Sequence, residues 1–266
     1  MYIAFNAPHS LIQAKRSDLT NAGFNPDGAR ALNTVRGISK REKAPDYGEG
    51  GKGNTVRQTF SAMVSSLDQN IGRILDVIER KGMGKNTIVI FHSDNGGVPN
   101  HGGDNHPLRG NKFTTWEGGV RVVGMIRWPL KSQGGTTFKS VAAYVDILPT
   151  LAAAAGLKVP SGVDGLNLLP YLEDAQLPPN RSLLLDEKTV VTDRWKLKDG
   201  SFFNLQKDPK EAHPIKQPPE LIASRLRQDL SQFKQLIGPA HLTLLSMPKS
   251  WPPAEWALPH ESLISK

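Results

Sequence analysis

Hydrophobic positions recur along this chain with two different spacings, and the switch between them marks the elements. Met63, Leu67, Ile71, Ile74 and Ile78 fall on one helical face, with Asp68, Arg73, Glu79 and Arg80 on the others. Gly82 and Gly84 end that helix. Thr87-Ile88-Val89-Ile90-Phe91 then forms a short, unbroken apolar run rich in β-formers. A strand this apolar, directly after a helix, predicts a parallel sheet covered on both faces. Arg121-Val122-Val123-Gly124-Met125-Ile126 reads as a further strand stopped by Trp128-Pro129. Residues 145–155, with Ile147, Leu148, Leu151 and Ala155 on one face, read as a helix opened near Asp146 and closed by Gly156.

The flanks are less regular. The opening Met1-Tyr2-Ile3-Ala4-Phe5-Asn6-Ala7-Pro8-His9 reads as a strand entering a loop, with neither the basic nor the long apolar region of a signal peptide. Residues 16–54 are polar and rich in glycine and charge, which predicts a mobile excursion. Proline recurs from 160 to 179 and places a boundary near 175. Beyond it, Thr189–Thr192, Trp195–Leu197 and Phe202–Leu205 predict a small antiparallel sheet, packed with a helix over 219–236. The expected organisation is α/β. An incomplete, mostly parallel sheet with flanking helices occupies 1–175, a small C-terminal antiparallel sheet with a helix occupies 176–240, and a Pro- and Trp-rich tail runs over 241–266.

Composition narrows the choice of partners. The chain has 266 residues, 38% hydrophobic and 22% charged, with 25 Gly and 20 Pro. That suits a globular protein with many loops, and no apolar run approaches the roughly 18–20 residues of a membrane span. A net charge of +8 and a pI near 9.6 favour anionic partners. No run of five basic residues occurs, and aromatics do not alternate with Lys/Arg, so nucleic acid is not the expected partner. Cysteine is absent, which removes disulfides, thiolate metal sites and Cys nucleophiles.

Chemistry gathers after the strand at 87–91. Ser93-Asp94-Asn95-Gly96-Gly97 lies at its carboxyl end, where α/β sheets carry their ligand sites. Asp and Asn offer two hard oxygen ligands suited to Ca²⁺ or Mg²⁺; taken alone, the tetrapeptide from Asp94 is equally an ordinary turn. Pro107-Leu108-Arg109-Gly110-Asn111-Lys112 and Trp116-Glu117-Gly118-Gly119-Val120-Arg121 follow. The three blocks in this order resemble the sulfatase family, its arylsulfatase B-like branch in particular, within the alkaline-phosphatase-like superfamily. Asp68, Gly72 and Arg73, the segment Asp146–Leu151, and Asp164-Gly165 fit the same pattern, so the likeness covers roughly 1–175. Trp195-Lys196-Leu197 and Phe203–Glu211 resemble the family's closing sheet.

The resemblance implies a role for each matching residue. Asp94 and Asn95 would ligate one divalent cation, calcium by family habit, with Mg²⁺ an option. Lys112 would hold the sulfate group and steady charge on the leaving oxygen. His9, in Ala7-Pro8-His9, would contact the sulfate and protonate the leaving group; Ser10 stands where the family has a second proline. Arg109, Glu117 and Arg121 are expected to hold the loop by ion pairs, and Asn105 and His106 to line the pocket; His101 lies nearby without a motif. Substrates implied are sulfated small molecules or polysaccharides, and the location by family habit is periplasmic, secreted or lysosomal.

Other parts of the family pattern do not occur in these residues. The formylglycine nucleophile arises from Cys/Ser-x-Pro-x-Arg; here the run Leu177-Pro178-Pro179-Asn180-Arg181 has that spacing, but leucine stands first and it follows the metal motif. No two aspartates are adjacent, so the family's Asp-Asp metal pair has no counterpart. The expectation is a sulfatase whose N-terminal half lies outside this sequence, through a misplaced start codon or a split gene, leaving this chain inactive alone. The alternative is a non-catalytic module that binds anionic sugars. A two-metal phosphoryl-transfer relative is a third option, disfavoured because Lys112 stands where a second metal would act.

Overall fold

The computed structural model describes residues 1–9, 12–26, 31–32, 54–132, 134–173 and 178–236. Most of the polar stretch expected to be an excursion, and the tail over 241–266, lie outside the described residues. Met1–Asn6 forms no strand, in contrast to the expectation, and Tyr2 is 87% exposed. No partner strand runs beside it among the described residues, and an apolar run without a ladder has nothing to hold it extended. The first paired strand is β1 (Ile12–Gln13), antiparallel to β2 (Ala31–Leu32). Between them, the start of the expected excursion is instead a helix, α1 (Arg16–Asn21). Its single apolar residue, Leu19, is fully buried and pins it down, which is too short a pattern to show a period.

The amphipathic helix is α2 (Val56–Arg80), 25 residues and nearly two turns longer at its start than its apolar stripe. A capping box sets that start: Gln58 N–H donates to Thr55 Oγ1 at 3.1 Å, and Thr55 N–H donates to Gln58 Oε1 at 2.8 Å. Gly82, at φ +67°, turns the chain out so that its N–H reaches Glu79 O and the N–H of Met83 reaches Ile78 O. The buried Met63 packs on Ile12. Further along, Leu67, Ile74 and Val77 line an open cavity of about 1100 Å³ with Phe5 and Met1.

After α2 comes β3 (Val89–His92), paired antiparallel with β4 (Gly124–Arg127), His92 facing Gly124 and Val89 facing Arg127. The chain is α/β as expected, but the parallel pairing that the apolar run suggested is not found among the described strands. An apolar run is silent on strand direction, and here the coverage it predicted is not present: β3 is half-buried and Met125 and Ile126 of β4 are exposed. Strand β4 begins three residues later than expected: the short helix α3 (Glu117–Val120) precedes it, and Arg121–Val123 run between the two as irregular chain. Helix α4 (Ile147–Ala154) follows a 3-10 turn at Tyr144–Asp146, and α5 (Leu169–Glu173) follows in turn.

The C-terminal sheet is a meander in the order β5 (Leu183–Asp186), β6 (Thr189–Val191), β7 (Trp195–Lys198), β8 (Ser201–Asn204). Strands β6 to β8 match the expectation; β5 is an addition. One face packs Val190, Leu197 and Phe202 against Ala223 and Leu226 of α6 (Glu220–Leu236), the expected closing helix. The other face, with Val191, Phe203 and Leu205, receives Trp116 from the motif region. The sheet therefore reaches the loops that carry the candidate site.

Candidate active site

The motif residues occupy two loops held together backbone to backbone. Leaving β3, the chain turns at Ser93–Gly97; the Asn95 N–H donates to Asp94 Oδ1 at 2.9 Å, and Ser93 Oγ donates to Asn95 O at 3.1 Å. The next residue, Gly96, donates its N–H to Gly119 O at 2.9 Å. A Cβ on Gly96 would overlap the carbonyl of Gly118, so only glycine allows this approach. Asn105 clamps the same turn, accepting the Gly97 N–H at 2.8 Å and donating to Gly97 O at 2.8 Å and to Gly110 O at 3.3 Å. Asn105 is thus a brace for the loop, with its amide committed to backbone.

His9 and Lys112, 103 positions apart, meet: Lys112 Nζ lies 3.4 Å from His9 Nε2. The Lys112 N–H donates to Gly97 O at 3.4 Å, which ties the lysine's backbone to the turn that bears Asp94 and Asn95. His9 sits on a turn in which its N–H reaches Asn6 O at 2.8 Å. His101 joins this group. Partial burial, followed by the positive fields of His9 and Lys112, holds its imidazole below the ordinary histidine pKa. His106 is exposed and its Nδ1 lies 2.7 Å from Asp104 Oδ1. The backbone and side-chain hydrogen bonds of His106 lower the Asp104 pKa.

A buried ion cluster stands behind the lysine loop. Lys196 of β7 is fully buried, with Nζ 2.9 Å from Glu117 Oε1 and 2.9 Å from Glu211 Oε1. Glu211 also accepts the Glu117 N–H on Oε2 at 2.6 Å, and its own backbone lies in the left-handed region at φ +52°. Desolvation raises the Glu211 pKa against the opposing effect of the Glu117 N–H and Lys196. Arg109 donates to Glu211 O at 2.9 Å, and its guanidinium lies 3.7 Å from the centre of the Trp116 ring. Trp116 meets Phe203 edge-on at 5.5 Å. Glu117 holds the loop by an ion pair, as expected, and Arg121 adds a longer contact with it at 3.8 Å, whereas Arg109 holds the loop through a backbone carbonyl and an aromatic ring, not the expected ion pair. Lys196 and Glu211 were not foreseen, since a lysine between Trp195 and Leu197 reads as one solvated position of a strand.

A second buried carboxylate explains the later motif. Asp146, 1% exposed, accepts the N–H groups of Ala143 and Leu166 at 2.8 Å each, and Arg181 donates to both of its oxygens. Burial would raise its pKa, but the Arg181 and backbone hydrogen bonds prevail and lower it. Arg181, the arginine of the misplaced Leu177–Arg181 run, is thus a structural partner.

The described residues include no group of three or more His, Asp or Glu placed to share a metal ion. Asp94 and Asn95 provide one carboxylate and one amide oxygen, a donor set that fits calcium or magnesium in kind and fills only part of the six to eight positions calcium takes.

The family model described as Sulfatase matches residues 1–157, and the chain belongs to the sulfatase family. Mouse arylsulfatase J is 36% identical over 151 residues, which is 56% of this chain and 25% of that protein. Mouse N-acetylgalactosamine-6-sulfatase is 37% identical over 131 residues, 47% of this chain and 25% of the relative. The chain spans about a quarter of the length of these curated relatives. Among solved structures, Ps i-CgsB in complex with k-i-k-neocarrahexaose is similar with a TM-score of 0.69 at 26% identity, covering 87% of this chain and 49% of that one. A protein solved with its substrate D-glucosamine-2-N,6-O-disulfate has a TM-score of 0.52 at 25% identity, covering 67% of this chain and 39% of the other. The likeness runs past the family match into the C-terminal sheet. No described helix is long and apolar enough to cross a membrane.

Proposed function

We propose that this chain carries the sulfate-holding part, and half of the metal site, of a sulfuric ester hydrolase acting on a sulfated sugar or small molecule. The observation behind this reading is the meeting of Lys112 Nζ and His9 Nε2 at 3.4 Å, on a loop bonded to the Asp94-Asn95 turn. An ammonium and an imidazole at this separation can share one anionic oxygen or grip two oxygens of a sulfate. In the whole site His9 donates a proton to the leaving oxygen, while Lys112 balances charge that builds on it. Asp94 and Asn95 would hold a divalent cation, calcium or magnesium, which when bound polarises the sulfate oxygens. The neighbours solved with k-i-k-neocarrahexaose and with D-glucosamine-2-N,6-O-disulfate support a saccharide ester as substrate.

These 266 residues contain no Cys/Ser-x-Pro-x-Arg and no Asp-Asp, so they hold neither nucleophile nor the first metal pair. By themselves they bind and do not turn over; activity requires a polypeptide segment that brings both. The net charge of +8 favours a second reading, a non-catalytic module that retains sulfated sugars. Inorganic sulfate titrated into the chain tests what both share. Binding lost in Lys112→Met and weakened in His9→Ala supports the site, and binding unchanged by either substitution refutes it. Adding a polypeptide that bears the nucleophile and Asp-Asp separates the two, since only the first reading predicts turnover.

A further inference from the structure

Lys112 lies within the arc from Arg109 to Glu117, and both ends of that arc are held at one buried ion pair. Lys196 Nζ reaches Glu117 at the arc's far end and pairs with the Glu211 carboxylate, and the same Glu211 holds the near end by accepting an Arg109 hydrogen bond on its backbone carbonyl. The ends are closed on each other as well, since Gly118 N–H donates to Arg109 O at 2.7 Å. One residue on, Gly119 O receives the Gly96 N–H next to Asn95. A single cation in β7 thus sits behind the loop that carries the sulfate-binding lysine and behind the turn that carries the metal ligands.

Stability alone is a poor account of this cluster. A buried ammonium between two carboxylates is often no more stable than well-packed apolar side chains of the same volume. What the ions add is direction: the Lys196 hydrogen bond fixes where Glu117 points, its ion pair draws Glu211 in beside it, and Glu211 Oε2 in turn fixes the Glu117 backbone by accepting the Glu117 N–H at 2.6 Å. Apolar packing would tolerate a shift of the arc, whereas the Lys196–Glu117 hydrogen bond at its far end and the Arg109 bond to the Glu211 carbonyl at its near end resist one.

We propose that Lys196, with Glu211, is a positioning residue for the anion site, setting the 109–117 arc so that Lys112 meets His9. The inference rests on the reading of His9 and Lys112 as a sulfate clamp. The C-terminal sheet is then a working part of the site, and not an appendage to it.

The test uses the full chain with inorganic sulfate as probe, followed by the NMR shifts of the His9 ring. Variants are Lys196→Met and Glu211→Gln, with Leu226→Ala as a control that weakens the opposite face of the same sheet, where Leu226 packs with Val190, Leu197 and Phe202. All are compared at a temperature where circular dichroism shows them folded. Sulfate affinity is expected to fall at least tenfold in Lys196→Met and several-fold in Glu211→Gln, and to stay within twofold in Leu226→Ala. Should Lys196→Met fail to fold, Glu211→Gln carries the comparison, because it keeps the volume and one carboxylate partner. Affinities within twofold of wild type in the Lys196 and Glu211 variants, with Lys112→Met still losing sulfate, overturn the positioning role alone. A wild-type chain without sulfate binding, or one indifferent to Lys112→Met, overturns the clamp and this inference with it.

Discussion

Arg181→Met isolates one buried interaction whose magnitude the structure sets. Asp146 is 1% exposed, and Arg181 is the only side chain that donates to it in the described contacts, using both ends of the guanidinium. Methionine fills much of the space and leaves a buried carboxylate with only the Ala143 and Leu166 N–H groups. Removing one partner of a buried pair costs about 3–5 kcal/mol. The Arg181 side chain is 17% exposed, so water reaches the gap and the lower end, about 3 kcal/mol, applies. For a chain of this size that is a fall of roughly 6–12 °C in Tm, or about 1 M in the urea midpoint at a slope near 3 kcal/mol/M. Arg181→Lys keeps the charge without the paired donors and is expected to recover about half the loss. The folded pKa of Asp146 lies below its unfolded value, so its contribution is complete above the unfolded pKa. It is lost as pH falls through the folded pKa, and the gap between wild type and Arg181→Met narrows over that acid window. Urea unfolding followed by tryptophan fluorescence at neutral and acid pH measures both effects. A variant within about 0.5 kcal/mol of wild type at neutral pH, or a gap that widens in acid, refutes the reasoning.

Other outcomes follow from the same geometry. Gly96→Ala places a Cβ against the Gly118 carbonyl and should cost about 3 kcal/mol or more, with sulfate binding lost along with the loop; thermal melts and titration check it. Purified 1–266 should show no turnover of an aryl sulfate with calcium present, and a rate above the uncatalysed one that disappears in Lys112→Met would contradict this. Lys112→Met removes one of the positive charges that oppose protonation of His101, so the His101 pKa, read by NMR, should rise; a fall would contradict the placement of the two side chains together.

The parts of the fold that sequence made legible are those with a long period. Helices α2, α4 and α6 and strands β6 to β8 follow from repeated apolar spacing. Helix α1 did not, because Leu19 alone anchors it, and Met1–Asn6 misled because an apolar run needs a partner to become a strand. The direction of β3 against β4 was hidden for a related reason: burial fixes which residues are apolar and leaves their neighbours' polarity open. In the site, Asp94, Asn95, Lys112 and His9 were visible as short motifs. Lys196 and Glu211 were not, because their partner Glu117 is 79 and 94 positions away and nothing local marks either as buried. The bracing role of Asn105 was hidden as well, since an amide near a glycine turn serves backbone and ligand equally well until its hydrogen bonds are known.

The half-site itself is tested most directly by calcium titration of the chain, wild type and Asp94→Ala, followed calorimetrically. Two protein ligands out of the six to eight that calcium takes predict a dissociation constant of about millimolar or weaker, with the remaining heat abolished by Asp94→Ala. Micromolar binding, or binding that Asp94→Ala leaves unchanged, would contradict the assignment of Asp94 and Asn95 as half of a shared metal site.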